Sequence, residues 1–257
     1  MKQQIQVAVT LAPLGDPQQA LAWLSQLGVR GVQLSLQQPG LRPRDLGASA
    51  RRDLAAALRR HELVCAGVDA LIPADHWCDG ATVDRAVEAL RECCQLAEAL
   101  GRVPVTVQFP GADPDPTREE RRSGALHAVA AAASTHGVLL ADLACSSSGA
   151  VANLPRPPVG WCADPAAMLA SGKPVPAAVA GLAGHLYSAR IVDLLRTGMR
   201  GPLGTAEGQL DVLSYRMALE MAGLQGLPVV DARQWADPES GVQRTVAAWR
   251  ATVPAGA

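Results

Sequence analysis

Short apolar runs alternate with longer amphipathic stretches along the whole chain, and the runs have the length of buried β-strands. Eight such runs are found, at 5–10, 31–36, 63–71, 104–109, 138–144, 159–163, 186–194 and 227–231. Apolar residues at helical spacing predict helices at 49–60, 82–100, 118–136 and 241–251, and another begins after Asp16-Pro17. Strands that alternate with helices, without a linker, predict a parallel sheet. We therefore predict an α/β fold with one domain over 1–257, a closed (β/α)₈ barrel rather than an open sheet.

The composition fits this fold and excludes several classes of partner. Hydrophobic residues make up 49% and aromatic residues 3%, which suits parallel strands covered by alanine-rich helices. The 23 basic and 24 acidic residues give a net charge of −1, so we expect no nucleic-acid partner. No apolar run reaches the ~20 residues of a membrane span, and no signal-peptide pattern is present. We expect a soluble, cytoplasmic protein with no membrane partner.

The six cysteines, at positions 65, 78, 93, 94, 145 and 162, form no CxxC pair and no zinc-ribbon spacing. We interpret them as mostly buried, reduced thiols, the usual state of cysteines in the cytosol. The chain also has no glycine-rich phosphate loop.

Four segments resemble the xylose isomerase-like TIM barrels, the superfamily of sugar isomerases, epimerases and sugar-phosphate isomerase-like proteins. They are Gly28-Val29-Arg30-Gly31-Val32-Gln33-Leu34, Gly160-Trp161-Cys162-Ala163-Asp164-Pro165, 190–211 and 226–231. Their order and spacing carry the resemblance, which covers nearly the whole chain. It implies an active site at the carboxyl ends of the strands.

The resemblance implies a Glu, Asp, His, Glu quartet from strands five to eight. Such a quartet binds a divalent metal, and its two glutamates transfer protons beside a carbonyl. Carried over position by position, the quartet falls on Leu143, Asp164, Arg190 and Asp231. Only Asp164 and Asp231 remain as candidate metal ligands and catalytic residues, and the second-strand glutamate is replaced by Gln33. We expect no cofactor, with a divalent metal (Mn, Mg or Zn) as the disfavoured alternative.

Two positions leave alternatives open. Asp142 replaces the missing fifth-strand ligand only if a bulge or a one-residue shift turns it toward the site; otherwise it is a rim or capping residue. Arg190 either forms a structural ion pair across an inactive site or binds the carboxylate or phosphate of a ligand, unless a register shift restores metal binding. In either of the first two cases we expect its guanidinium inside the barrel mouth, paired with Asp164, Asp231 or both.

Other polar residues are candidates for substrate contacts. With Arg190, the set comprises Gln33, Gln108, Asp193, Glu207 and Trp235. Glu207 is expected mainly to order a loop that closes over the site. The loop after strand three, on the active-site face, is interpreted as an ordinary polar loop rather than a substitute ligand cluster or a substrate lid. Its polar residues are Asp69, Asp75, His76, Cys78 and Asp79.

Two functional hypotheses follow. The first is a sugar or sugar-phosphate isomerase/epimerase-like barrel that acts on a small polyol or keto-sugar, with Asp164 and Asp231 as its surviving acid/base pair. The second is a binding or regulatory pseudoenzyme that keeps the fold and a polar, anion-accepting pocket without proton-transfer chemistry. Both imply a small sugar-like ligand, and the resemblance suggests a homodimer.

Overall fold

Eight parallel strands close into a barrel in the computed structural model, which describes residues 5–143 and 157–252. The barrel strands are β1 (Ile5–Thr10), β2 (Val29–Ser35), β3 (Val64–Ala70), β4 (Val105–Val107), β5 (Leu140–Asp142), β6 (Val159–Ala163), β7 (Leu186–Ile191) and β10 (Val229–Val230). Their order around the barrel is β1-β10-β7-β6-β5-β4-β3-β2, and Ala8 pairs with Val229 where the barrel closes. The predicted closed (β/α)₈ barrel is confirmed.

A small hairpin interrupts the alternation after β7. It consists of β8 (Asp193–Leu194) and β9 (Arg200–Gly201), which pair antiparallel outside the barrel. The sequence-based strand at 186–194 was too long, because the barrel strand ends at Ile191 and the chain then turns into this hairpin.

Helices surround the barrel, and aspartates begin several of them. The helices are α1 (Pro17–Leu27), α2 (Ala48–Arg60), α3 (Val83–Ala99), α4 (Pro116–His136), α5 (Pro165–Ala170), α6 (Val175–Ala180), α7 (Val212–Met221) and α8 (Pro238–Ala251). Their N-cap aspartates, whose carboxylates accept backbone N–H groups of the first turn, are Asp16, Asp115, Asp164, Asp211 and Asp237. Within the described ranges, none of these helices is long and apolar enough to cross a membrane.

The sequence patterns located most elements and missed some boundaries. The fifth strand, predicted at 138–144, is paired only over Leu140–Asp142. Helices α5, α6 and α7 were not predicted, because they are only six to ten residues long and lie among proline, glycine and polar residues.

Most of the cysteines that the structure describes are buried, as expected. Cys78, Cys93, Cys94 and Cys162 are buried and Cys65 is half-buried, whereas Cys145 lies outside the described residues.

The apolar core lies between the strands and the helices, whereas the centre of the barrel mouth is polar. Buried apolar residues form two large clusters that cover most of the outer face of the barrel. Buried polar side chains stand instead within two residues of the carboxyl ends of their strands: Gln33, Asp69, Thr106, Asp142, Arg190 and Asp231. The fold therefore gathers its polar groups at the end where barrels of this kind place their sites.

Candidate functional site

Arg190 fills the centre of the barrel mouth. It stands one residue before the end of β7, its side chain is 0% exposed, and it reaches across the barrel to the opposite strand β3. There its Nη2 donates to Oδ1 of Asp69 at 2.7 Å, while its Nη1 donates to Oε1 of Gln33. Gln33 in turn donates to the hydroxyl of Thr106 at 3.1 Å. A guanidinium at this point can be buried because it has charged and polar partners on two other strands.

Arg233 forms the second half of the same network. It follows the last barrel strand by three residues and holds Asp231 through two hydrogen bonds, from Nε at 2.7 Å and from Nη2 at 2.5 Å. Its Nη1 also donates to Oδ2 of Asp69, so that the two oxygens of this one carboxylate accept from two different arginines. We call Asp69, Arg190, Asp231 and Arg233 the Arg/Asp network; its formal charge is zero.

The charges of the Arg/Asp network shift the pKa values of Asp231 and Arg190. Burial alone raises the pKa of Asp231, but the hydrogen bonds from Arg233 and the charge of Arg190 outweigh burial and lower this pKa below its ordinary value. Burial lowers the pKa of Arg190, yet the carboxylates of Asp69 and Asp231 more than compensate and raise it. Asp231 is therefore a carboxylate at neutral pH and a poor proton acceptor.

Asp164 lies apart from Arg190 and has its own partner. Its Oδ2 accepts from Nη2 of Arg200 at 2.5 Å, and its Oδ1 caps α5 by accepting from the N–H of Ala167 at 3.1 Å. Arg200 comes from the β8–β9 hairpin, which is thereby tied to the mouth of the barrel. Arg190 was predicted to pair with Asp164, Asp231 or both. The structure pairs it with Asp231 in a long ion pair, with Nε 3.9 Å from Oδ2, whereas the ion-pair partner of Asp164 is Arg200.

Asp193 organises the loop that follows the hairpin. Its Oδ1 accepts the backbone N–H groups of Leu194, Gln209 and Leu210 at 2.8–2.9 Å. Its side chain is buried, and a carboxylate already engaged by three N–H groups is a structural element of the loop. Asp193 was predicted as a substrate contact, and the structure gives it this other role.

The remaining predicted substrate contacts lie at the edge of the site or outside it. Gln108 and Glu207 are exposed, and the backbone oxygen of Glu207 accepts from the N–H of Arg196. Trp235 is half-buried and packs on a small apolar cluster beside α5 and β8. Asp142 is buried in β5 and its Oδ1 accepts from the N–H of Phe109 at 3.1 Å. In the part of the chain that the structure describes, Gln108, Glu207 and Trp235 form no side-chain hydrogen bond with Arg190.

The residues of the site do not fit a divalent metal. Such an ion wants several free oxygen or nitrogen donors, whereas the position that the resemblance assigns to a metal-binding histidine holds Arg190, whose guanidinium cannot ligate. The carboxylates of Asp69, Asp164 and Asp231 already accept hydrogen bonds from arginines. Over residues 5–143 and 157–252 no group of three or more His, Cys, Asp or Glu side chains is arranged to hold an ion.

Three members of the site were not identified from the sequence: Asp69, Arg200 and Arg233. Asp69 was assigned to a polar loop although it precedes the end of β3 by one residue and is 1% exposed. The position of Asp69 next to the carboxyl end of a strand is the signal in the sequence that could have identified it as a site residue. Arg233 lies in an irregular segment after the last barrel strand, and Arg200 lies in the two-residue strand β9. In neither place does the spacing of the chain predict the direction of the side chain.

Several buried polar atoms on the same side of the barrel lack a hydrogen-bond partner among the described residues. They include Nε of Arg190, Nε1 of Trp235, Oγ1 of Thr205 and both polar atoms of the Gln38 side chain. Gln38 follows the carboxyl end of β2, Arg190 stands next to that of β7 and Trp235 follows that of β10, whereas Thr205 follows the β8–β9 hairpin. Buried polar groups without partners cost free energy, so this side of the barrel is suited to exchange hydrogen bonds with water or a polar ligand, mainly as a donor.

The low pKa of Asp231 predicts how acid affects the fold. Because its pKa is depressed in the folded state, the carboxylate contributes stability above its unfolded pKa of about 4, and this contribution is lost as the pH falls through the folded value. Arg233→Met removes the hydrogen bonds that lower the pKa. We therefore expect the variant to be less stable than the wild type at pH 7, with the difference narrowing below about pH 4. Urea unfolding midpoints of the wild type and of Arg233→Met, measured between pH 7 and pH 3, give this difference in stability. A difference that does not change with pH would contradict the lowered pKa of Asp231.

The comparisons with known proteins agree with the geometry of the fold. Residues 21–141 match the family model of the xylose isomerase-like TIM barrel. An L-ribulose 3-epimerase structure superposes with a TM-score of 0.74 at 18% identity, covering 96% of this chain and 95% of that one. A D-allulose 3-epimerase from Methylomonas sp. gives 0.73 at 15% identity, covering 98% and 99%. A 3-keto-D-glucoside 4-epimerase from E. coli gives 0.73 at 12% identity, covering 96% and 100%. No curated protein sequence matches the chain. The chain therefore has the fold of the xylose isomerase-like TIM barrels.

Proposed function

We propose that this chain is a non-catalytic binding protein built on a sugar isomerase/epimerase-like barrel. One observation carries the proposal: the guanidinium of Arg190, fully buried, stands at the position that the resemblance assigns to a metal-binding histidine. Its partner Asp69 is shared with Arg233. A cross-barrel ion-pair network thus replaces the metal and its ligands.

The chemistry of proton transfer beside a carbonyl needs groups that this site lacks. A general base works best when its pKa lies near the working pH, whereas the pKa of Asp231 is held below its ordinary range by Arg233 and Arg190, against the effect of burial. The fifth-strand glutamate of the family corresponds to Leu143. Among the described residues, neither a full set of metal ligands nor a carboxylate at the fifth-strand position is left to polarise or deprotonate a substrate.

Ligand binding is supported by the polar groups around the mouth. Arg233 and Arg200 keep 19% and 24% of their side chains exposed, so that their outer edges face solvent. Nε1 of Trp235 is a buried donor without a hydrogen-bond partner in the described structure, and Nε of Arg190 has Oδ2 of Asp231 at 3.9 Å, beyond hydrogen-bond distance. Because the Arg/Asp network is neutral, its hydrogen-bonding groups suit a small sugar-like molecule with several hydroxyls.

The test is to measure binding and proton exchange on the same ligands. The purified protein is incubated in D₂O with a panel of ketoses and polyols, with Mn²⁺ or with EDTA, and ¹H NMR follows deuterium incorporation at carbon. We expect saturation transfer to at least one ligand and no carbon-bound exchange under either condition. The matched variant Arg233→Met should lose the binding signal, whereas Arg91→Met, a change in an exposed ion pair with Glu88, should keep it.

The alternative function is catalysis, favoured by the names of three similar structures, which are sugar epimerases. Deuterium incorporation that depends on Mn²⁺ and disappears in Asp231→Asn would establish this alternative and contradict our proposal. Absence of any ligand signal across the panel would contradict the proposed ligand class.

A further inference from the structure

A cavity lies outside the barrel, between the neighbouring helices α2 and α3. Its volume is about 670 Å³, within the range of small-molecule sites. Helix α3 packs closely against α4, whereas α2 has no comparable packing against α3. The cavity occupies this gap in the helical layer, and its wall includes Ala48, Ala55 and Ala99, whose small side chains leave room for a ligand. We call it the α2 cavity.

Three arginines of α2 line the cavity, namely Arg51, Arg52 and Arg59. Arg51 is held in place, because its Nε donates to the backbone oxygen of Leu46 at 2.9 Å and its Nη2 to that of Pro43 at 3.4 Å. The guanidinium groups of Arg52 and Arg59 have no hydrogen-bond or ion-pair partner among the described residues. None of the described residues that line the cavity is acidic, so its wall carries three positive charges and no counter-charge.

The positive charge around the α2 cavity contrasts with the charge of the rest of the chain. Residues 42–60 contain six arginines and two aspartates, a net charge of +4, whereas the remaining 17 basic and 22 acidic residues give −5. Both aspartates, Asp45 and Asp53, are exposed, and neither lines the cavity. Negative charge elsewhere disfavours a long polyanion such as nucleic acid, which needs an extended basic surface. The cavity is therefore suited to a small anion.

The arginines stand at two separate places along the α2 cavity. Arg52 and Arg59 are seven residues apart, nearly two helical turns, so they lie on the same face of α2 with a rise of about 10 Å between them. Ala55 lies between them on that face, and Arg51 adjoins Arg52. A single phosphate ion reaches only one of these two places, whereas a molecule with two phosphate groups at this separation reaches both.

We propose that the α2 cavity binds a small organic molecule that carries two phosphate groups about 10 Å apart. One phosphate accepts hydrogen bonds from Arg51 and Arg52, the other accepts from Arg59, and the carbon skeleton between them lies against Ala55. The planar guanidinium group suits phosphate because it donates two parallel hydrogen bonds to the anion. Arg51 is already fixed by two backbone oxygens, so its part of the site needs little ordering on binding. This site is separate from the barrel mouth and independent of the ligand proposed for it.

Isothermal titration calorimetry with two bisphosphonates tests whether both places are used. Hexamethylenebisphosphonate carries its two anionic groups at the ends of a six-carbon chain, whereas methylenebisphosphonate carries the same groups on one carbon. At physiological ionic strength, which screens non-specific attraction, we expect the long probe to bind more tightly than the short probe and inorganic phosphate, by roughly tenfold or more. Equal affinities of the two bisphosphonates, or no measurable binding of the long one, would overturn the proposal.

Variants of α2 separate the cavity from a general effect of charge. Arg59→Gln should lower the affinity for the long probe to that for the short probe and leave the short probe unaffected. Arg60→Gln is the matched control: it removes the same charge from the next residue, which is exposed and does not line the cavity, and should change the affinity by less than about twofold. Equal losses in Arg59→Gln and Arg60→Gln would contradict the proposed site.

A variant that fills the α2 cavity gives an independent test. Ala55→Leu keeps a good helix former at this position but places a large side chain between the two phosphate positions. We expect it to abolish binding of the long probe, while circular dichroism shows an unchanged helix content. A folded Ala55→Leu variant that binds the long probe as tightly as the wild type does would overturn the proposal.

Discussion

Arg190→Met should unfold at a clearly lower temperature than the wild type. The substitution keeps much of the side-chain volume but removes the guanidinium that neutralises Asp69 from the far side of the barrel. Removing one partner of a buried ion pair costs about 3–5 kcal/mol, because the other charge stays buried. In a domain of this size, the loss corresponds to a fall in melting temperature of roughly 6–20 °C.

Calorimetry on Arg190→Met and on a matched surface variant checks this expectation. Arg91 pairs with Glu88 at 2.6 Å, but both side chains are about half exposed, so Arg91→Met should cost less than about 1 kcal/mol. Equal stability of the two variants would mean that the cross-barrel pair does not stabilise the fold.

Asp69→Ala should be destabilised at least as strongly, and small carboxylates should restore part of the loss. The variant leaves Arg190 and Arg233 side by side around a cavity the size of a carboxylate, with no anion between them. Formate or acetate can enter that cavity and accept the same hydrogen bonds. Because an anion that binds only the folded state stabilises it by mass action, the melting temperature should rise with formate concentration. At a hundredfold excess of formate over its Kd, the free energy of unfolding should increase by about 2.7 kcal/mol.

The control separates specific binding from a general salt effect. Asp45, exposed beside Arg44, is the matched position, and Asp45→Ala should respond equally to formate and to chloride. Asp69→Ala should respond to formate more than to chloride at the same ionic strength. An identical response to both salts would show that the two arginines do not form an anion-accepting cradle without Asp69.

The barrel could be predicted from the sequence because its strands are continuous apolar runs between amphipathic helices. The strand pattern at 5–10 and 159–163 coincides with β1 and β6, since buried parallel strands leave an unambiguous signal. The hairpin β8–β9 and the helices α5 and α6 were missed, because elements this short have no periodicity to detect.

The candidate site was predicted only in part, for a physical reason. Residue type and position at a strand end identified Arg190, Gln33 and Asp231, which do lie together in or beside the Arg/Asp network. The partners of a charged side chain depend on distances across the barrel, and no local spacing encodes them. The sequence therefore indicated that Arg190 needs carboxylates, but the structure was required to show that Asp69 and Arg233 complete the network.

We propose that the guanidinium of Arg190 takes the place of a metal ion. Titration with Mn²⁺, monitored by electron paramagnetic resonance, tests this replacement most directly. The spectrum of free hexaaquo Mn²⁺ disappears when the ion enters a protein site. Because the carboxylates of the mouth already accept from Arg190, Arg200 and Arg233, we predict that added Mn²⁺ keeps its free signal in the presence of equimolar wild-type protein. Loss of the signal at one equivalent, reversed by Asp231→Ala, would contradict the account.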